Sequence, residues 1–140
     1  MSQPKDKYTI LAVDDDTVLL DTLAEGLVHF CSFDVNIVKA IDGVEALKLC
    51  EGFDFDAIIT DFFMPNMDGM QFIKEFKAKS KDKTIPIIFT SAYFSELETD
   101  ANKHLFEDVI FIDKPYKFSK INSFLKLYLQ SEKLSQKEAM

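Results

Sequence analysis

Five short apolar runs, rich in β-branched residues, recur at intervals of about 20 to 30 residues along this chain. Between them, apolar residues follow the spacing of amphipathic helices. Strands that are apolar along their whole length are buried on both faces, which predicts a parallel sheet covered by helices on both sides. The sequence therefore predicts an α/β fold of five βα units. The predicted strands cover residues 8–13, 35–39, 55–60, 85–90 and 109–112.

Capping residues predict where the helices begin. Thr17 is the predicted N-cap of the first helix, and the pairs Asp42/Glu45 and Ser95/Glu98 have the spacing of capping boxes. The predicted helices cover about residues 17–30, 43–51, 69–79 and 95–104, and a last amphipathic helix ends near residue 129. A flavodoxin-like strand order 2-1-3-4-5 would bring strands one and three together, although periodicity alone does not determine this order.

Length and composition predict one domain in a soluble protein. Residues 1–7 are expected to be an N-terminal extension, 8–129 the domain, and 130–140 a polar C-terminal tail. No apolar run approaches the roughly 20 residues that a membrane helix needs, and the polar start lacks a signal peptide, so a cytoplasmic location without membrane insertion is expected. Cys31 and Cys50 lack metal-ligand spacing, and both are expected to be reduced and structural rather than paired or zinc-bound.

Charge argues against direct binding to nucleic acids. The net charge is −8, and all sixteen basic residues are lysines. Without arginine, the chain lacks the planar fork that contacts guanine or phosphate through two hydrogen bonds. We therefore expect no direct nucleic-acid partner.

Polar residues follow four of the predicted strands. Asp14 and Asp15 follow the first, Asp61 the third, Ser91 the fourth and Lys114 the fifth. Because the carboxyl ends of parallel strands meet at one edge of the sheet, these side chains are expected to share one cleft. Three carboxylates, a hydroxyl and an ammonium suit a hard cation together with a phosphoryl group.

The chemistry of these residues favours a Mg2+ site beside a phosphate acceptor. Magnesium prefers oxygen ligands and keeps several waters, so two carboxylates and a carbonyl are enough. Asp61 can act as a nucleophile that forms an aspartyl phosphate. The alternative is that the acidic residues after the first strand only cap the first helix, and one of the three is expected to do so. For Ser91 and Lys114, the alternatives are a hydroxyl bonded to backbone and a solvated lysine.

Four motifs in this order resemble the response-regulator receiver domain of two-component signalling, and the likeness covers about residues 8–129. The resemblance implies that Asp61 is the phosphoacceptor and that Ser91 and Lys114 contact the phosphoryl group. It also implies that Phe111 is the aromatic switch residue and that the peptide bond before Pro115 is often cis. The motifs are ILAVDDD at 10–16, ITDFFMPNMDG at 59–69, TSA at 90–92 and DKP at 113–115.

By the same resemblance, the metal ligands would be Asp14, Asp15, Asp61 and the backbone carbonyl of Phe63. The expected phosphodonor is a histidine kinase or a histidine phosphotransfer protein. Phosphorylation would change the face formed by the fourth helix, fifth strand and last helix, where a downstream protein binds; a phosphorylation-dependent homodimer is left open. Phe63 and Tyr93 either prolong the phosphorylated state by hindering water or only pack against loops.

Two other functions are weighed against a signalling receiver. A phosphohydrolase with an aspartyl-phosphate intermediate is expected to carry an acidic residue two positions after its nucleophile, and this chain has Phe63 there. A degenerate receiver that serves only as a scaffold is disfavoured by the intact Asp61, Ser91 and Lys114. If the chain is complete, its output is expected through protein contacts; if it is a fragment, an output domain could follow.

Overall fold

The computed structural model describes residues 6–80, 84–91 and 109–138. These ranges contain five strands and four helices. The predicted helix at 95–104, with its capping pair, lies outside the described residues. The elements are β1 Lys7–Val13, α1 Thr17–Phe30, β2 Asp34–Ala40, α2 Gly43–Gly52, β3 Ala57–Asp61, α3 Gly69–Lys79, β4 Ile87–Ser91, β5 Val109–Asp113 and α4 Phe118–Glu138.

The five strands form one parallel sheet in the order β2-β1-β3-β4-β5, which confirms the predicted fold class. The register pairs Val13 with Thr60 and Asp61 with Thr90. Hydrogen bonds continue the ladder past the strand ends, because Phe62 N–H donates to Thr90 O at 3.0 Å and Lys114 N–H donates to Ser91 O at 3.1 Å. The residues that follow these strands therefore lie side by side at the carboxyl edge of the sheet.

Helices cover both faces of the sheet. On one face, α1 and α4 contribute side chains such as Leu23 and Ile121 to an apolar cluster, and α2 and α3 cover the other face with side chains such as Ala46 and Phe72. Along β1, side chains alternate between the two clusters, as the two-residue period of a strand requires. Burial on both faces explains why the strands read as continuous apolar runs.

The starts of two helices show how capping operates in this chain. Asp16 caps α1: its Oδ1 accepts from the N–H groups of Val18 and Leu19 at 3.1 and 3.2 Å. The prediction of Thr17 as N-cap is wrong by one residue, because the Asp16 carboxylate reaches the free N–H groups and Thr17 is the first helical residue. The predicted capping role of Asp42 is confirmed by its 2.8 Å hydrogen bond from Glu45 N–H.

Several element ends differ from the predicted ones. Helix α4 continues to Glu138, past the expected helix end near residue 129. The segment beyond that point is rich in Gln, Glu, Lys and Leu, which are strong helix formers, so it extends the helix. Strand β4 begins only at Ile87, after Pro86, which has no N–H to donate.

Within the described residues, Cys31 and Cys50 are not joined in a disulfide. Burial raises the pKa of Cys31 to about 11, so this thiol is protonated and poorly reactive at neutral pH. None of the helices within the described ranges combines the length and apolar character that a membrane crossing requires.

Candidate functional site

The polar side chains singled out in the sequence gather at the carboxyl edge of the sheet. Asp14 directly follows β1, Asp61 ends β3, Ser91 ends β4 and Lys114 directly follows β5. Asp14, Asp61 and Ser91 are buried, with exposed fractions of 1%, 7% and 1%. Since polar groups are rarely buried without a hydrogen-bonding or charged partner, these side chains are expected to interact with one another at this edge of the sheet.

Three carboxylates and one ammonium form the centre of the site. Single carboxylate oxygens of Asp14, Asp15 and Asp61 lie within 4.8 Å of one another. The Lys114 ammonium donates to Asp14 Oδ2 at 3.0 Å and to Asp61 Oδ2 at 3.1 Å. Lys114 therefore links the ends of β1, β3 and β5 through one charged group.

Asp14 accepts hydrogen bonds on both of its carboxylate oxygens. Oδ1 accepts from the Asp16 N–H at 2.9 Å, and Oδ2 accepts from Lys114 and from the Tyr116 hydroxyl, the latter at 3.1 Å. Sequence reasoning missed Tyr116. Its only signal was its place two residues after Lys114, in the same loop, which does not reveal where its hydroxyl points.

The backbone around Asp61 is fixed by its neighbours. The Thr60 hydroxyl donates to the carbonyl oxygen of Asp61 at 3.0 Å, and Gly69 N–H donates to Phe62 O at 2.9 Å. A Cβ atom on Gly69 would overlap the Asp61 carbonyl oxygen. The loop between them contains Asn66 with a φ of 68°, a left-handed conformation that asparagine adopts more readily than most residues. Gly69 thus lets α3 begin directly against the end of β3.

Burial and charge perturb the titration of three groups in the site. Burial raises the pKa of Asp61 to about 6; the ammonium of Lys114 acts against this, and the charges of Asp14 and Asp15 add to it. Burial tends to lower the pKa of Lys114, but the Asp14 and Asp61 carboxylates outweigh it and raise that pKa. Burial, followed by the Asp14 charge, raises the pKa of Tyr116, so its hydroxyl keeps the proton that it donates.

The donor set fits a hard divalent cation. All three acidic side chains offer oxygen ligands, and a bound cation would act against the burial and the neighbouring carboxylates that raise the pKa of Asp61. Asp15 is exposed, so the cluster opens to solvent on one side. Asp16 is occupied as the cap of α1, which agrees with the expectation that one of the three consecutive aspartates caps the helix. The ligand role of the Phe63 carbonyl stays a prediction.

Aromatic rings lie between the loop after β3 and strand β5. Phe89 stacks on Phe111 with ring centroids 5.6 Å apart, and Phe62 contacts both Phe89 and Phe63 edge-on, at 5.4 and 5.1 Å. Phe111 is half-buried. Tyr93, the other predicted aromatic neighbour, lies outside the described residues. The peptide bond between Lys114 and Pro115 is cis, as the resemblance implied.

The sequence model of the response regulator receiver domain family matches residues 10–126. A curated relative, the probable C4-dicarboxylate response regulator DctR of Priestia megaterium, is 30% identical over 96% of this chain and 58% of its own length. The probable transcriptional regulator ycf29 of Porphyra purpurea is 36% identical over 61% of this chain and 39% of its own length. The chain thus spans between two fifths and three fifths of these relatives.

Two solved structures resemble most of this chain. Chemotaxis protein CheY4 of Vibrio cholerae superposes with a TM-score of 0.73 at 27% identity, covering 87% of this chain and 98% of that protein. The response regulator TrrA of Thermotoga maritima, solved in complex with Mg2+ and BeF, gives a TM-score of 0.72 at 28% identity, covering 85% and 96%.

Proposed function

Because the chain belongs to the response regulator receiver domain family, we propose that Asp61 accepts a phosphoryl group and so converts this domain between two signalling states. The observation that carries the proposal is the shared ammonium: Lys114 lies within 3.1 Å of a carboxylate oxygen of both Asp61 and Asp14. A cation in that position can meet the oxygens of a phosphoryl group on Asp61. The domain would then catalyse only its own phosphorylation and dephosphorylation, and not the turnover of an external substrate.

The reaction is a phosphoryl transfer to a carboxylate. A carboxylate oxygen of Asp61 forms a bond to phosphorus as the bond from phosphorus to the donor nitrogen breaks, and the donor imidazole leaves with the electron pair and takes up a proton. Lys114 compensates the charge of the phosphoryl oxygens, and the Ser91 hydroxyl donates to one of them. Asp14, Asp15, Asp61 and the Phe63 carbonyl would hold Mg2+, which would supply charge neutralisation and orientation.

A Ser91/Phe111 switch would carry the signal away from the site. Phosphorylation adds acceptor oxygens that attract the Ser91 hydroxyl, and a small inward shift at the end of β4 can bias a two-state element. Phe111 stacks on Phe89, two residues before Ser91 in the same strand. The aromatic ring on β5 is therefore a suitable element to respond. Its movement would alter, for a partner, the face formed by the helix predicted at 95–104, β5 and α4.

The proposed phosphodonor is a histidine kinase or a histidine phosphotransfer protein, since these supply phosphoryl groups to receiver domains. The proposed output is a downstream protein partner, and a phosphorylation-dependent homodimer is an alternative output. The likeness to TrrA, which was solved with Mg2+ and BeF, supports a Mg2+ requirement here. The cytoplasmic location inferred from the sequence stays a prediction, as does the absence of a direct nucleic-acid partner.

Intact-mass spectrometry after incubation with acetyl phosphate and Mg2+ tests the phosphoacceptor role. Wild type is expected to gain one phosphoryl group, and EDTA is expected to abolish the gain. Asp61→Asn is expected to gain none. Asp34→Asn is the matched control, because this exposed aspartate starts β2 at the opposite edge of the sheet. Equal gains in wild type and Asp61→Asn would refute the proposal, as would the absence of any gain in wild type.

A further inference from the structure

The Tyr116 hydroxyl reaches a carboxylate of the acidic cluster, although Tyr116 belongs to none of the motifs. It donates to Asp14 Oδ2 at 3.1 Å. We propose that Tyr116 is a positioning residue: it holds the Asp14 carboxylate in its Mg2+-binding orientation, in particular when Lys114 turns toward a phosphoryl group on Asp61. This inference rests on the proposed function, because it takes Asp14 as part of the metal site.

The hydrogen bonds of Asp14 show why a second donor matters. The carboxylate is 1% exposed, so water cannot replace a lost partner easily. Its Oδ2 has two donors, Lys114 and Tyr116, and Lys114 also donates to Asp61. If the ammonium moves to phosphoryl oxygens, Oδ2 loses one of its two hydrogen bonds. The tyrosine hydroxyl is then the side-chain donor that continues to fix this oxygen.

The position of the Tyr116 ring makes it a suitable support. The ring is half-buried and packs against the apolar cluster under α1 and α4, with the Phe118 ring centroid at 6.3 Å. A packed aromatic ring has few torsions left to vary, so its hydroxyl occupies a well-defined point. Tyr116 thereby connects Asp14 to the core rather than to a solvent-exposed loop.

The expected effect follows from the behaviour of residues that orient metal ligands. Removing a hydrogen-bond partner of a ligand lowers metal affinity by about 10- to 100-fold in well-studied sites. Because Asp14 keeps its bond from the Asp16 N–H, we expect the lower end of that range. Tyr116→Phe should therefore raise the Mg2+ dissociation constant about tenfold while leaving the packed ring in place.

Two measurements on the full chain test the inference. Isothermal titration with MgCl2 gives the affinity directly, and it is expected to fall about tenfold in Tyr116→Phe. The rate of phosphorylation by acetyl phosphate is then followed against Mg2+ concentration. The half-maximal concentration is expected to rise by a similar factor, while the rate at saturating Mg2+ stays within about twofold of wild type.

The control variant is Tyr128→Phe, which removes a hydroxyl from the half-exposed part of α4 and is expected to leave both measurements unchanged. Unchanged Mg2+ affinity in Tyr116→Phe would overturn the inference. An equal change in Tyr128→Phe, or a rate that stays low at saturating Mg2+, would overturn it too. If wild type binds Mg2+ but is not phosphorylated, the proposed function fails, whereas the titration still decides the role of Tyr116.

Discussion

Asp61 lies among groups that act on its charge in opposite directions. Burial and the carboxylates of Asp14 and Asp15 favour its neutral form, while Lys114 favours the carboxylate. Burial and the two carboxylates dominate, and the pKa of Asp61 rises from 3.8 to about 6. Lys114 alone therefore does not fully offset the negative charge around the Asp61 carboxylate. A bound metal ion would supply the additional positive charge, as a metal-dependent acceptor requires.

This environment predicts a pH dependence of stability in EDTA. Since the folded state binds a proton on Asp61 more tightly than the unfolded state does, the stabilisation by the neutral carboxyl is complete below the unfolded pKa of about 4. It is lost as pH rises through about 6. Asp61→Asn should remove this component. The free energy of unfolding of the variant, relative to that of wild type, should therefore increase as the pH is raised from about 4 to about 8.

Urea unfolding of wild type, Asp61→Asn and Asp34→Asn at about pH 4 and about pH 8 checks the prediction. Asp34→Asn is the control for removing one carboxylate at an exposed position. Should Asp61→Asn also differ from wild type by a constant amount, Asp61 would have an ordinary pKa and the electrostatic description of the site would be wrong.

At the scale of elements, the start of α3 sets the position of Asp61. Gly69 is buried against the end of β3, where a Cβ would overlap the carbonyl oxygen of Asp61. Backbone cannot yield as a flexible side chain does. The geometry of the nucleophile thus depends on a residue eight positions further along the chain.

Gly69→Ala should destabilise the protein by about 1–3 kcal/mol, the usual cost of forcing extra atoms into a packed site. It should also slow phosphorylation at saturating Mg2+, because Asp61 must move. Gly52→Ala is a matched control: no atom lies within 4 Å of a Cβ there, and alanine favours the helix. Denaturant unfolding and acetyl phosphate kinetics measure both effects. Equal stability of the two variants would contradict the close approach of α3 to β3.

The cap of α1 gives a second test at this scale. Asp16→Ala should cost about 1 kcal/mol, because two N–H groups of the first turn lose their acceptor. Thr17→Ala should cost clearly less, since Thr17 is the first helical residue and not the cap. Urea unfolding at fixed Mg2+ compares the two variants. A larger loss in Thr17→Ala would restore the cap assignment made from the sequence.

Much of the fold and the acidic site could be predicted from the sequence because both depend on local patterns. Continuous apolar runs mark buried parallel strands, and polar residues directly after them meet at one edge whatever the details of packing. Tyr116 could not be found in this way, because it does not directly follow a strand and its contact with Asp14 depends on the path of the loop after β5. The cap of α1 was missed by one residue because two adjacent residues, Asp16 and Thr17, are both good caps.

At the scale of the molecule, the site ties together strands that are far apart in sequence. Asp14 and Asp15 follow β1, and Asp61 ends β3, its neighbour in the sheet. A cation bound by these carboxylates binds only the folded chain. Mg2+ at about 100 times its dissociation constant should therefore raise the free energy of unfolding by about 2.7 kcal/mol.

Asp15→Asn is the informative variant for this effect, since the side chain is exposed and its loss should leave the metal-free fold intact. Thermal unfolding with and without Mg2+ should show a large shift in wild type and a much smaller one in Asp15→Asn. Equal shifts in the two proteins would exclude Asp15 from the metal site.

The central claim is that one carboxylate, that of Asp61, receives the phosphoryl group. The most direct test is to phosphorylate the protein with acetyl phosphate and Mg2+, reduce the acyl phosphate with borohydride, and sequence the peptides by mass spectrometry. Reduction turns a phosphorylated aspartate into homoserine. We predict homoserine at position 61 and unmodified aspartate at positions 14, 15 and 16. Homoserine at any of those three positions, with Asp61 intact, would contradict the account.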